Sequence, residues 1–153
     1  MISIYITPYM GLSGRMAMYW VFAGWLGLAG CGSSYTTEVI DTFPDGTTRT
    51  IHYYKETDSG RELYKMEEYY DNGIKRVEGY YRDGERHGRW NSWHDNGKVW
   101  STGHYREGQL HGKHRVYYPN GQKFYEGRYE HGLRTGLWRF WNEQGGLENE
   151  TRY

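Results

Sequence analysis

With a single cysteine, Cys31, in 153 residues, the chain can close no disulfide within itself and can build no cysteine-based zinc site. Charge of one sign is also missing. From Cys31 onward there are 18 Lys and Arg against 19 Asp and Glu, interspersed along every stretch, so the concentrated basic surface of a duplex-binding protein is absent and nucleic acid is excluded as a partner. Proline is scarce, at three residues, and no apolar run reaches the roughly 20 residues that span a bilayer as a helix.

What is abundant is glycine, at 22 residues, and aromatic side chains, at seventeen Tyr, seven Trp and four Phe. That mixture suits short strands, tight turns and flat ring packing better than helices. The chain has room for one modest all-β domain behind a distinct amino-terminal segment.

The amino-terminal segment carries one charge, Arg15, followed by the apolar run MAMYWVFAGWLGLAGC from Met16 to Cys31 and then the polar Gly32-Ser33-Ser34. This is the n-region and h-region order of a secretory signal, with no basic cluster behind it to stop transfer. The stretch before Arg15 is long and neutral for an n-region, and Met10 offers a tidier start at MGLSGR. The run ends in Leu28-Ala29-Gly30-Cys31, which resembles the bacterial lipobox. Small residues let the extended backbone enter a peptidase, and a thiol is the nucleophile that can accept a diacylglyceryl group as a thioether. The resemblance implies that residues 1–30 are removed, that Cys31 is the lipid attachment site, and that the membrane is a partner through its acyl chains. It further implies a lipid-anchored location in the cell envelope, with Gly32 favouring the outer membrane of a Gram-negative host. Residues 31–42 are expected to be the lipidated cysteine and a polar tether.

A lattice follows. Gly73, Gly97, Gly121 and Gly145 lie 24 residues apart, as do Gly60, Gly84, Gly108 and Gly132, while Gly79, Gly103 and Gly127 form a third series and Gly88, Gly112 and Gly136 a fourth. The glycines are therefore a property of a repeat and not of a disordered segment. Asn-Gly at 72–73, 96–97 and 120–121 and the alternate turns at 83–84, 107–108 and 131–132 predict hairpins with type I′ geometry, and so an antiparallel meander. Tyr81, Tyr105, Tyr129 and Tyr153 recur with the same period, as do Tyr69, Trp93, Tyr117 and Trp141; Met66, Trp90, His114 and Trp138 are a looser series. A glycine two residues before a tyrosine shares its strand face, leaving a gap over which a ring from the next hairpin is expected to lie.

The segments Tyr125-Glu126-Gly127-Arg128-Tyr129-Glu130-His131-Gly132 and Gln109-Leu110-His111-Gly112 resemble the membrane occupation and recognition nexus, or MORN, repeat in its longer bacterial variant. The resemblance spans residues 60–153 and implies a single-layer antiparallel meander of MORN-type hairpins acting as a protein-interaction scaffold. Residues 43–59 depart from the lattice, with Tyr64 standing where later units have Gly, and predict a degenerate capping hairpin. At the other end Thr151 stands where Gly127 and Gly103 stood, which predicts an ordered closing strand through Tyr153.

Catalysis and metal binding find no support in the pattern. His87 and His111 occupy one lattice position, the other five histidines occupy five, and no H-x-x-x-H or comparable cluster forms. Ser92 and Ser101 are isolated, and Glu78, Glu126 and Glu150 are repeat positions. No enzyme activity, no cofactor and no metal are expected. Three function classes remain: an envelope protein-interaction module, neutralisation of a partner toxin as the antitoxin-like branch of the variant repeat implies, and glycan binding through exposed rings.

Overall fold

The computed structural model describes residues 34–153. The signal segment, Leu28, Ala29, Gly30 and Cys31 lie outside the described residues. Eleven strands run as β1 (Tyr35–Thr42), β2 (Thr48–Thr57), β3 (Gly60–Tyr69), β4 (Lys75–Arg82), β5 (Glu85–Trp93), β6 (Val99–Arg106), β7 (Gln109–Leu110), β8 (Gly112–Tyr117), β9 (Lys123–Glu130), β10 (Leu133–Trp141) and β11 (Leu147–Arg152). They form one open antiparallel sheet in chain order, with the short β7 beside β6, so the architecture is the all-β single-layer meander that the lattice predicts.

Two kinds of turn close the hairpins. Asp83-Gly84, Glu107-Gly108 and His131-Gly132 have positive φ at both residues, from 47° to 77°, as a type I′ turn requires. The Asn-Gly turns differ from expectation. At Tyr70–Ile74 the amide of Gly73 donates to the Tyr70 carbonyl and that of Tyr70 to the Ile74 carbonyl, while only Gly73 (φ 78°) is left-handed. This is a three-residue loop, a type I turn closed by a glycine bulge, and it recurs at His94–Lys98, Tyr118–Gln122 and Asn142–Gly146. One extra residue in the loop explains the change, since it leaves the asparagine right-handed and free to use its side chain.

The same turn closes β1–β2 at Phe43–Thr47, so the capping hairpin takes its first strand from the stretch expected as a tether. From Tyr35 onward that stretch pairs with β2, Val39 facing Ile51 and Glu38 facing His52. All eight residues of β1 are exposed. An edge strand needs only one neighbour and no buried face, which is why its polar, aperiodic sequence does not prevent pairing.

Candidate interaction face

The register sorts the side chains into two rows that cross the sheet. On one face His52 faces Met66, Met66 faces Gly79, Gly79 faces Trp90, and Trp90 faces Gly103. His114 then faces Gly127 and Trp138 faces Thr151, so bulky side chains and glycines alternate. A Cβ on Gly79 would come within 2.1 Å of the Trp90 ring, on Gly127 within 2.2 Å of Trp138, and on Gly103 within 2.7 Å of His114. The rings lie over glycines as expected, each from the first strand of the next Asn-Gly hairpin, which faces the glycine strand across the type I′ turn. Gly88, Gly112 and Gly136, all at positive φ, cause this. Beside Gly88 the β4–β5 register jumps from Gly79↔Trp90 to Tyr80↔His87, which sets the indole over the glycine.

The tyrosine series walls these rings in. Tyr81 and Tyr105 stand edge-on to Trp90 at 5.4 and 5.6 Å, and Tyr129 and Tyr153 stand edge-on to Trp138 at 5.1 and 5.8 Å. Trp138 is fully buried although the sheet has one layer. Its core is a strip of T-shaped aromatic contacts, and Trp90 and Trp138, from the looser series, are its centre. The Trp90 indole donates to the Tyr80 carbonyl at 3.1 Å, whereas the Trp138 indole nitrogen finds no acceptor among the described residues. Burial lowers the His114 pKa, so its imidazole packs in the neutral form.

The opposite face carries charge. Its row runs Ile51, Glu67, Glu78, Asn91, Thr102, Arg115, Glu126, Arg139 and Glu150, each facing the next across a strand pair. Trp93, Tyr117 and Trp141 lie toward the Asn-Gly turns, where Lys75 sits over the Trp93 ring at 5.9 Å and Lys123 over Trp141 at 4.5 Å. Their carbonyls accept side-chain hydrogen bonds from the preceding turn: Tyr70 Oη to Trp93 and Tyr118 Oη to Trp141, both 3.0 Å, with His94 Nε2 at 2.9 Å from the Tyr117 carbonyl.

Glu67 and Glu78, directly opposed on β3 and β4, would repel each other if left alone. Lys75 Nζ reaches Glu67 at 2.6 Å and Glu78 at 2.9 Å, and Lys65 Nζ reaches Glu67 at 2.7 Å. The Tyr53 and Tyr69 hydroxyls also donate to Glu67, at 2.7 and 2.6 Å. Burial alone would raise the Glu67 pKa, but these four donors outweigh it and hold the carboxyl well below the usual range. Burial and the donated bond push the Tyr69 phenol up to about 12.

A third set of contacts ties successive turns together. Asn72 Nδ2 donates to the Asp95 carbonyl, Asn96 Nδ2 to Pro119 and Asn120 Nδ2 to Glu143, at 2.9, 2.9 and 2.7 Å, while each Oδ1 accepts the amide two residues on. Asp45 and Gln144 stand at the outer turns of this ladder. Sequence reasoning assigned the asparagines to backbone conformation and missed this use. It missed Glu67 too, because in its lattice column, Glu67, Asn91, Arg115, Arg139, the carboxylate occurs once.

The repeat unit is thus two strands around an Asn-Gly turn, followed by a type I′ turn into the next unit. Three segments match the MORN repeat variant. They are residues 65–83, 86–107 and 110–131, each running through an Asn-Gly hairpin to the left-handed residue of the next type I′ turn. MORN repeats are generally protein- or membrane-interaction modules. Beyond the matched segments, β10 and β11 continue the same geometry through Trp138 and the Gly145 turn. No curated protein and no solved structure matches the chain. Among the described residues no group of His, Cys, Asp and Glu is placed to hold a metal, and no helix is long and apolar enough to cross a membrane.

Proposed function

We propose that the protein is a lipid-anchored, non-enzymatic interaction module of the bacterial cell envelope, its repeats presenting a charged sheet face to a protein partner. The observation that carries the reading is the row from Glu67 to Glu150, a regular polar face crossing eight strands with no second layer over it. Repeat sheets use such extended surfaces for binding. The anchor rests on Leu28-Ala29-Gly30-Cys31 behind an apolar run, and acyl chains there would hold the protein at the membrane whatever the repeats bind.

Two measurements on the full chain in a bacterial host test the two halves. Mass spectrometry and Triton X-114 partition should find the protein acylated and in the detergent phase, and Cys31→Ser should move it to the aqueous phase; unchanged mass and partition in the variant would remove the anchor. A photo-crosslinking residue at Arg139, on the charged face, should yield a discrete protein adduct that the same residue at Asp83, in a turn, does not. Adducts to peptidoglycan alone, or none, would overturn the scaffold reading. A captured partner encoded beside this chain and toxic by itself would turn it toward toxin neutralisation.

A further inference from the structure

Positive charge on the polar face is not spread evenly. At the amino-terminal end two carboxylates, Glu67 and Glu78, share two lysines, Lys65 and Lys75. Farther along, one carboxylate serves three cations: Glu126 lies 3.2 Å from each of Lys113, Arg115 and Lys123. Arg89, facing His104, and Arg128, facing Lys113, are exposed and form no ion pair among the described residues. Arg89 lines a groove of about 480 Å³ together with Asn91, His104, His111, Lys113 and Arg115; the lining contains no carboxylate, and Arg128 stands beside it, facing Lys113.

We infer that this groove, over β5 to β8 with Arg128 of β9 at its edge, binds a short acidic peptide segment of a partner protein. The inference rests on the interaction-module reading and adds the sign and size of the partner. With Arg128 at its edge the patch crosses four strand positions, β5, β6, β7/β8 and β9, so at about 4.8 Å between neighbouring strands it is as wide as a peptide of a few extended residues is long. Unneutralised cations there favour a polyanion, and the Thr102 hydroxyl, also in the lining, adds a hydrogen-bonding group. A flat anionic membrane fits less well, because Glu78 and Glu150 stand in the same row on either side of the patch and would be pressed against the lipid charge. A bounded patch between acidic flanks suits a ligand that ends where the cations end.

The test is fluorescence anisotropy of a fluorescein-labelled octaglutamate peptide with the full chain held in neutral detergent micelles. Binding should weaken at least tenfold between 50 and 300 mM salt, as for exposed charges. It should also weaken at least tenfold in the double variant Arg89→Glu/Arg128→Glu, and less in Arg89→Gln/Arg128→Gln, which keeps the face uncharged if the reversal disturbs folding. Arg49→Glu, far from the groove, should leave it unchanged. Absence of peptide binding, equal affinity in the double variants, or binding confined to phosphatidylglycerol vesicles would overturn the inference. If the crosslink at Arg139 forms while octaglutamate fails to bind, the acidic-partner inference falls alone; peptide binding without any cellular adduct would instead sink the scaffold reading.

Discussion

At β3–β4 the polar face closes over a carboxylate, while at β9–β10 the opposite face closes over an indole. Glu67 is held by Lys65, Lys75, Tyr53 and Tyr69 and is 5% exposed; Trp138 is held by Gly127, Tyr129, Tyr125 and Tyr153 and is 0% exposed. The glycine row thins toward the amino terminus, where Met66 and His52 replace ring and glycine, and the polar knot appears where it thins. A sheet with no second layer has to make its interior from side chains of adjacent strands. Where glycines make room, rings fill it; where they do not, a desolvated charge cluster takes the role, and it is worth keeping only because every donor finds an acceptor.

The largest effect should come from filling the glycine gap. Gly127→Val places a branched side chain where Trp138 already lies, and Gly79→Val does the same at Trp90. Overpacking of this kind costs roughly 1–3 kcal/mol, and the rigid indole, walled in by tyrosines, leaves little room to relax, so the upper end is expected in urea unfolding. Gly103→Val, against the smaller and more distant His114, should cost less. Equal midpoints for all three and the parent protein would break the ring side of the comparison.

Glu67→Gln sharpens the other side. Removing the charge leaves two lysines with Glu78 as their one remaining carboxylate, and breaking a buried pair costs about 3 kcal/mol or more when both ions are fully buried; Lys65 and Lys75 are partly exposed and keep Glu78, so a smaller loss is expected. The sign of the pH dependence follows from the depressed pKa. Folding favours the ionised carboxyl, so its stabilisation is present above the ordinary carboxylate pKa of 4.5 and is lost as pH falls below it toward the lower folded value. Acid titration of unfolding free energy should therefore bring parent and variant together below pH 4, and parallel curves from pH 7 to pH 2 would contradict the assignment. Tyr69 should titrate by absorbance near pH 12 in the parent protein and lower in the variant.

The lattice was legible because its glycines answer two demands that only glycine meets: positive φ in turns and bulges, and empty space beneath a ring. Strand order, hairpin spacing and the ordered β11 follow from them, and Thr151 does face Trp138. Which ring column covers the glycines was not legible, since the Gly88 bulge shifts facing partners by two positions and favours Trp90 over the more regular tyrosine series. Nor was β1, which lies in a segment without hydrophobic alternation. The charged face was legible in part: Glu78, Glu126 and Glu150 recur with the lattice, but the column that faces them runs Glu67, Asn91, Arg115 and Arg139 and gave no sign of the cluster around Glu67.

Smaller changes are expected in the turn ladder. Asn96→Ala loses the bond to the Pro119 carbonyl and the acceptor of the Lys98 amide, both exposed, for about 1 kcal/mol in unfolding experiments. Asn96→Asp keeps the acceptor and should lose about half as much; a loss as large as that of Ala would mean that the turn-to-turn bond is the part that matters. The smallest effect belongs to His114. Its neutral form is favoured by burial, so stability should decline as pH falls below 6.5, its ordinary value, and His114→Phe should remove that slope.

Hydrogen exchange on a chain lacking residues 146–153 tests the central claim, that each ring is held by its neighbours on both sides, most directly. The deletion removes Thr151 and Tyr153 from Trp138 while leaving Gly127 beneath it. If stability is passed from strand to strand, protection should fall across β9 and β10, from Lys123 to Trp141, and remain at parent levels in β2 to β4. Full protection retained from residue 121 to 140 would show that β10 holds its indole without the closing strand, and would contradict the account.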